Sequence, residues 1–150
     1  MHNIKNFMAG DHRQCDELLV TAEQAVASRS WEAASAAFAG FQQAVLQHFA
    51  AEENILFPAF ETKTGMLSGP TQVMRGEHVQ MRELMAAAQE ALVAQDADDY
   101  EGNVETLFIM MQQHNVKEEN VLYPMCDQLL SAQVDALLPR LQVTLQTPVN

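Results

Sequence analysis

The stretch His48-Phe-Ala-Ala-Glu-Glu-Asn-Ile-Leu-Phe-Pro58 decides the fold prediction, because the chain contains this pattern twice. Residues 114–124 read His-Asn-Val-Lys-Glu-Glu-Asn-Val-Leu-Tyr-Pro, and both copies fit H-x-x-x-E-E-N-(I/V)-L-(F/Y)-P. Residues four apart lie on one face of a helix, a single turn from each other. Each copy therefore places an imidazole beside a carboxylate. Such pairs are typical ligands of zinc or iron, so the motif predicts a metal site.

The repeat extends beyond the motif, as a shift of the chain by 66 residues shows. This shift superposes His12 on His78 and the first motif copy on the second. Four of the five histidines fall into register, and only His2 stays outside. We therefore predict a single domain made of two duplicated helix hairpins, at about 4–62 and 70–130, with a tail over 131–150.

The composition between these motifs favours helices, because Ala, Leu, Glu and Gln are frequent and apolar residues recur at helical spacing. Pro58 is expected to kink or loosen the second helix near its end, since proline cannot donate a backbone hydrogen bond. The inner face of the fourth helix is predicted to continue as far as Val121. The predicted helices cover 11–27 with a start as early as Ile4, then 31–61, 70–94 and 98–130, and a short tail helix to about 145.

Length arithmetic predicts that the four histidines lie at one level. His12 and His48 are 36 residues apart, as are His78 and His114, and each midpoint falls in a predicted turn. Each arm rises about 25 Å at 1.5 Å per residue, so the two histidines of a hairpin come level. The predicted fold is an all-α, up-down-up-down antiparallel four-helix bundle with a short C-terminal helix and one layer of ligands in its core.

The composition limits the partners. The chain has 150 residues and a net charge of −12, without a cluster of Lys and Arg, which argues against binding to nucleic acid or to an anionic membrane. It lacks the roughly 18 unbroken apolar residues of a membrane span. The first residues carry no secretory signal, so we expect a cytoplasmic protein with Cys15 and Cys126 reduced. The oligomeric state is left open.

A histidine on the first helix followed by H-x-x-x-E-E on the second, with both repeated, resembles the hemerythrin-like family, in the branch called the HHE cation-binding domain. The resemblance covers about residues 4–130. In oxygen-carrying hemerythrins the third helix has a second histidine four residues after the first, where this chain has Arg82. This departure removes a ligand from one iron, which argues against a direct transfer of reversible oxygen carriage to this chain. The resemblance implies six metal ligands, with the two carboxylates bridging two irons: His12, His48, Glu52, His78, His114 and Glu118.

The expected cofactor is a pair of iron ions (Fe2+/Fe3+) with a bridging oxo or hydroxo group, although zinc or manganese would accept the same donors. Four neutral imidazoles and two carboxylates leave two ferrous ions with a net charge of +2, or +1 with a bridging hydroxide. Each ion keeps one open position for dioxygen, nitric oxide, peroxide or water. Without metal the two carboxylates would be buried unpaired, so metal is expected to stabilise the fold.

Residues beside the motif receive weaker predictions. Glu53 and Glu119 point about 100° away from the ligands, which favours solvated carboxylates or hydrogen-bond partners of the ligands over ligands. Tyr123 is predicted to pack in the core, and a redox role is its less favoured alternative. A redox role is likewise the less favoured alternative for Cys15. Asn54 and Asn120 are candidate hydrogen-bond donors to the site.

The predicted function is a non-haem diiron protein that binds a small diatomic or peroxide ligand for sensing, scavenging or iron handling. Two alternatives stay open. One is a diiron enzyme that consumes peroxide or nitric oxide or donates iron for repair of metal centres, and the other is a metal-stabilised interaction module. Ferritin-type sites use Glu-x-x-His and at least four carboxylates, which this motif does not match. The chain contains no nucleophile motif or phosphate-binding loop, so no catalytic residue is predicted.

Overall fold

The computed structural model describes residues 2–149 and is helical apart from its turns and ends. No strand occurs within this range, which confirms the all-α prediction. None of the helices in it is long and apolar enough to cross a membrane. The helices are α1 (Ile4–Ala27), α2 (Trp31–Ala51), α3 (Phe57–Thr64), α4 (Pro70–Val93), α5 (Ala97–Lys117), α6 (Tyr123–Leu129) and α7 (Val134–Leu145), with a short 3-10 turn at Ser131–Gln133.

Four antiparallel helical rods form the bundle: α1, α2 continued by α3, α4, and α5 continued by α6. The turns within the two hairpins are repeated as well. α1 packs on α2, and α4 packs on α5. Arg29 and Gln95, which are 66 residues apart, both adopt a left-handed conformation with φ of 57° and 54°. In each turn the next residue donates a hydrogen bond back to the helix, from Ser30 to the Ala25 carbonyl and from Asp96 to the Ala91 carbonyl, each at 2.9 Å. This is the geometry that ends a helix and reverses the chain.

Each motif contains a widened helical turn that the sequence did not predict. Residues Glu52–Leu56 and Glu118–Leu122 are π-helical and join α2 to α3 and α5 to α6. Phe57 donates its backbone hydrogen bond to Glu52, five residues earlier. Pro58 follows directly, in the first turn of α3, where a missing N–H costs little. The loosening expected at Pro58 thus takes the form of a π turn, whose local widening accommodates the proline ring.

The widened turn also corrects the predicted inner face of the fourth helix. Val121 is 53% exposed, so its assignment to the core is wrong. A π turn contains more than four residues. Leu122, four residues after Glu118, therefore returns to the inner face, and Val121, three residues after it, does not. Leu122 accordingly is buried.

The core has two clusters, one on each side of the level at which the histidines lie. The upper core cluster, which includes Phe38, Phe41 and Tyr100, packs towards the Arg29 and Gln95 turns. The lower core cluster contains Ile4, Phe57, Phe60, Tyr123, Leu137 and Leu141. α7 packs along α2 and the first π turn, so the tail helix covers that side of the bundle. Both cysteines are buried and free, as predicted.

Candidate metal centre

The six predicted ligands meet in one buried layer between the two core clusters. Glu52 and Glu118 are 0% exposed, and the four histidines are almost as deeply buried. The rings of His12 and His48 have centroids 4.6 Å apart, and those of His78 and His114 are 5.0 Å apart. The structure therefore places the histidines at one level, as the length arithmetic predicted.

The donor atoms of this layer form two overlapping groups. Glu52, His78, His114 and Glu118 each offer an atom within 4.8 Å of the others, and so do His12, His48 and Glu118. We call His12 with His48 the first half-site, and His78 with His114 the second half-site. Both glutamates reach both half-sites: Glu118 Oε1 lies 3.1 Å from His12 Nε2 and 3.3 Å from His114 Nε2, and Glu52 lies 3.5 Å from His48 Nε2 and 3.1 Å from His78 Nε2.

Every histidine of the layer has its Nδ1 hydrogen-bonded to a carboxylate on a neighbouring rod. We call these four residues the outer carboxylates. They connect α1 to α2, the first π turn to α4, α4 to α5, and the second π turn back to α1, which closes a ring around the bundle. The bonds are Asp11 to His48 at 2.7 Å, Glu53 to His78 at 2.6 Å, Glu77 to His114 at 2.8 Å and Glu119 to His12 at 2.7 Å.

Sequence reasoning identified half of this ring. Glu53 and Glu119 are hydrogen-bond partners of the ligands, which was one of the two roles predicted for them. Asp11 and Glu77 were missed, although they directly precede His12 and His78 and coincide under the 66-residue shift. The two asparagines, Asn54 and Asn120, are exposed, and within residues 2–149 neither makes a hydrogen bond to the centre, so that prediction is wrong.

The outer carboxylates decide which ring nitrogen faces the centre. When Nδ1 donates its proton to a carboxylate, Nε2 is left as an acceptor, which is the form that binds a metal. His78 Nε2 lies 3.1 Å from Glu52 Oε1, yet both atoms are buried without a hydrogen-bond partner. His114 Nε2 and Glu118 Oε2 are in the same state. Buried acceptors that face each other point to a cation between them, since buried polar atoms are almost always paired.

Without a bound cation, protons on the histidines lie between the facing acceptors instead. Burial alone lowers the pKa of His48, but the charge of Glu52 and the hydrogen bond that His48 donates to Asp11 overcome this effect and hold that pKa well above its usual range. The pKa of His114 rises to about 9, because Glu118 outweighs the effect of burial. A metal and protons therefore compete for the same imidazoles.

The charges around the layer match two divalent ions. Glu52, Glu118 and the four outer carboxylates carry six negative charges. Arg82 pairs with Glu53, and Lys117 pairs with Glu77, which leaves four negative charges for the cluster. Two divalent cations would bring this total to zero. The donor set therefore fits a pair of metal ions in both geometry and charge.

Arg82 does not replace the histidine that oxygen-carrying hemerythrins have at this position. Its guanidinium binds both oxygens of Glu53 at 3.0 Å and lies over the ring of Phe49, 5.2 Å from the centroid. Phe49 in turn stacks on His78 with centroids 3.8 Å apart. Arg82 thus contacts an outer carboxylate and the ring that stacks on His78.

Tyr123 packs in the core, as predicted, and its hydroxyl also reaches the layer of histidines, which the sequence did not predict. Its hydroxyl lies 2.6 Å from Glu52 Oε2, 3.0 Å from Glu118 Oε1, and 3.2 and 3.3 Å from the Nε2 atoms of His48 and His12. Burial and the charges of Glu118 and Glu52 raise the pKa of Tyr123 well above its usual range. Without a cation the phenol is therefore protonated.

A small cavity borders the layer on the side of the upper core cluster. Its volume is about 10 Å³, enough for about one molecule of the size of water. Apart from three histidines of the layer, the side chains that line the cavity are mostly apolar or contain sulfur. The lining residues are His12, His48, His114, Cys15, Val45, Phe49, Met81, Met111 and Asn115.

Comparison with known proteins agrees with this centre. The model of the hemerythrin HHE cation binding domain matches residues 3–126. Searches of curated proteins and of solved structures give no match. The buried cluster of histidines and glutamates fits a metal-binding protein. Because the match spans most of the sequence, this chain belongs to the family of hemerythrin HHE cation-binding domains.

Proposed function

We propose that this chain holds two metal ions in the buried layer, one at each half-site, and that both are iron. The ligands would be His12, His48, Glu52, His78, His114 and Glu118. The observation that carries the proposal is the orientation of four imidazoles, since each Nδ1 is bound to an outer carboxylate and each Nε2 faces the buried glutamates. A hydrogen-bonded core without metal would not need four such carboxylates.

Iron is favoured by the donor set. Imidazole together with carboxylate, in a site with room for a further ligand, suits non-haem iron. Zinc and manganese bind the same donor types, so the identity of the ion is a matter for metal analysis. Bound to the centre, iron would supply a redox-active ion with affinity for small ligands, while the protein fixes its surroundings.

The cavity supports binding of a small diatomic ligand such as nitric oxide or dioxygen. It borders three of the four histidines and leaves space for about one small molecule. Cys15, Met81 and Met111 line it, and their sulfur atoms would be oxidised by a peroxide turned over nearby. A diatomic ligand that is bound and released is therefore favoured over peroxide consumption, consistent with sensing, scavenging or iron handling.

The proposal is tested by loading the metal-free protein with ferrous iron under nitrogen, counting the bound iron, and recording the optical spectrum before and after nitric oxide. We expect two irons per chain and a spectral change that reverses when nitric oxide is removed. Steady consumption of nitric oxide or peroxide above that of free iron would favour an enzyme. Bound iron without any spectral response would favour an interaction module.

His114→Ala and His2→Ala form a matched pair for the same experiment. His2 is exposed, and it is the one histidine outside the layer. We expect His114→Ala to lose about one iron, while His2→Ala keeps both. If His114→Ala still held two irons as tightly as the parent, the assignment of the ligands would be wrong.

A further inference from the structure

Tyr123 has more neighbours than a phenol can satisfy by hydrogen bonding. Its hydroxyl has one proton, which goes to Glu52 Oε2 at 2.6 Å. The other three close atoms are Glu118 Oε1, His48 Nε2 and His12 Nε2, at 3.0, 3.2 and 3.3 Å. In the metal-binding tautomer all three are acceptors, because both histidines donate their Nδ1 protons to Asp11 and Glu119. In that form three of the four contacts join lone pair to lone pair unless a cation or a proton lies between them.

A cation among these atoms would turn the repulsive contacts into favourable ones. Ligand atoms bound to one metal at about 2.1 Å lie about 3 Å apart when they are neighbours in the coordination sphere. The four contacts of Tyr123 Oη are close to this spacing. Oη thus sits at the distance of a further donor atom to an ion held by His12 and His48.

The second half-site has no such group. The 66-residue shift places Phe57 at the position of Tyr123, and Phe57 stacks on His78 with centroids 5.8 Å apart. Phenylalanine offers no donor atom. Tyr123 also belongs to the lower core cluster, whereas the cavity residues Cys15, Val45 and Met81 belong to the upper one, so the phenol leaves the cavity free.

We propose that Tyr123 is a seventh protein ligand, with its phenolate oxygen bound to the ion of the first half-site. The inference rests on the proposed metal binding. When the ion enters, the O–H bond breaks, the oxygen binds the metal and the proton passes to solvent. An anionic oxygen donor stabilises the more highly charged ion. The first half-site is therefore the position that favours ferric iron.

The test uses the chain's two tyrosines, Tyr123 and Tyr100. Tyr100 is buried in the upper core cluster, away from the layer, which makes Tyr100→Phe the matched control for Tyr123→Phe. Each protein is loaded with ferrous iron, oxidised in air and analysed for iron content. Visible absorption and resonance Raman spectra then report whether a phenolate is bound to ferric iron, independently of any activity.

The parent and Tyr100→Phe are expected to show the visible phenolate-to-iron charge-transfer band, and Tyr123→Phe is expected to lack it while holding iron at the second half-site. Because Tyr123 is the only tyrosine left in Tyr100→Phe, a band in that variant identifies the ligand even if Tyr123→Phe fails to fold. A parent protein with two irons and no phenolate band would overturn the role of Tyr123 and leave the diiron proposal intact. A parent that binds no iron would overturn both.

Discussion

The two half-sites share one frame but differ in their surroundings. In each, two imidazoles from one hairpin face inward, and carboxylates hold their Nδ1 atoms from outside. At the second half-site the outer carboxylates Glu53 and Glu77 are neutralised by Arg82 and Lys117. Within residues 2–149, no lysine or arginine pairs with Asp11 or Glu119 at the first.

This difference shows how a repeated sequence produces unequal positions. The 66-residue shift superposes Asp16 on Arg82, so the first half-site has a carboxylate where the second has a cation. The first half-site is therefore the more negative of the two, and we expect it to favour the ion with the higher charge. In the proposed two-metal centre, the shared frame would fix where the ions bind, and the unshared residues would set how the ions differ.

The largest effect is expected from the two glutamates, because each reaches both half-sites. Glu118→Gln removes a carboxylate between His12 and His114, and Glu52→Gln removes one between His48 and His78. We expect the iron content to fall from about two per chain to nearly none in both variants. Metal analysis after desalting provides the measurement. A variant that kept two irons would show that its carboxylate does not hold either ion.

Removing an outer carboxylate is expected to weaken one half-site at a time. Asp11→Asn frees the Nδ1 of His48, and Glu77→Gln frees that of His114. Loss of such a partner typically costs 10–100-fold in metal affinity. Competition with a chelator, using zinc as the redox-inert probe, should show one weakened ion in each variant. Unchanged affinity in both would mean that the ring of carboxylates does not orient the ligands.

The pH dependence of stability should reverse when metal binds. The folded-state pKa values of His48, His78 and His114 are raised in the metal-free protein, that of His114 to about 9. The stability they contribute is complete below the unfolded pKa of about 6.5 and is lost as the pH rises through their folded values. Metal-free protein should therefore melt several degrees lower at pH 9 than at pH 6.

The metal-loaded protein should gain affinity for its ions over the same range, because protons no longer compete. Thermal melts with and without iron across this range provide the comparison. A metal-free protein that becomes more stable between pH 6 and pH 9 would contradict the assignment of protonated histidines.

The smallest effect is expected from the surface cations that distinguish the second half-site. Arg82 is 38% exposed, so its ion pair with Glu53 should contribute less than about 1 kcal/mol to folding. Arg82→Gln leaves Glu53 uncompensated and should tighten the second ion by less than about tenfold. Arg13→Gln, an exposed arginine on α1, is the control. Chelator competition should detect the change, and weaker binding in Arg82→Gln would contradict the charge comparison.

Sequence spacing was sufficient to predict the fold and to bring six residues to one layer. The four-residue step within each motif and the 36-residue separation of the histidines in each hairpin are read from the sequence. The regular rise of a straight helix converts both spacings into positions. The acids before His12 and His78 were also visible in the repeat, but their role depends on which rod lies next to which.

Other features depended on packing that spacing alone does not describe. The π turns lie just before Pro58 and Pro124, and the second of them places Val121 on the outer surface. They also direct the Tyr123 hydroxyl into the layer, where periodicity predicted only a packed ring. The cavity results from the sizes of side chains from all four rods.

In the proposed centre, side chains of four antiparallel rods hold two cations in one layer. Crystals of the iron-loaded protein, measured with X-rays at the iron absorption edge, test it most directly because anomalous scattering locates iron alone. We predict two peaks per chain, one beside the Nε2 atoms of His12 and His48 and the other beside those of His78 and His114. A single peak, or peaks outside this layer, would contradict the account.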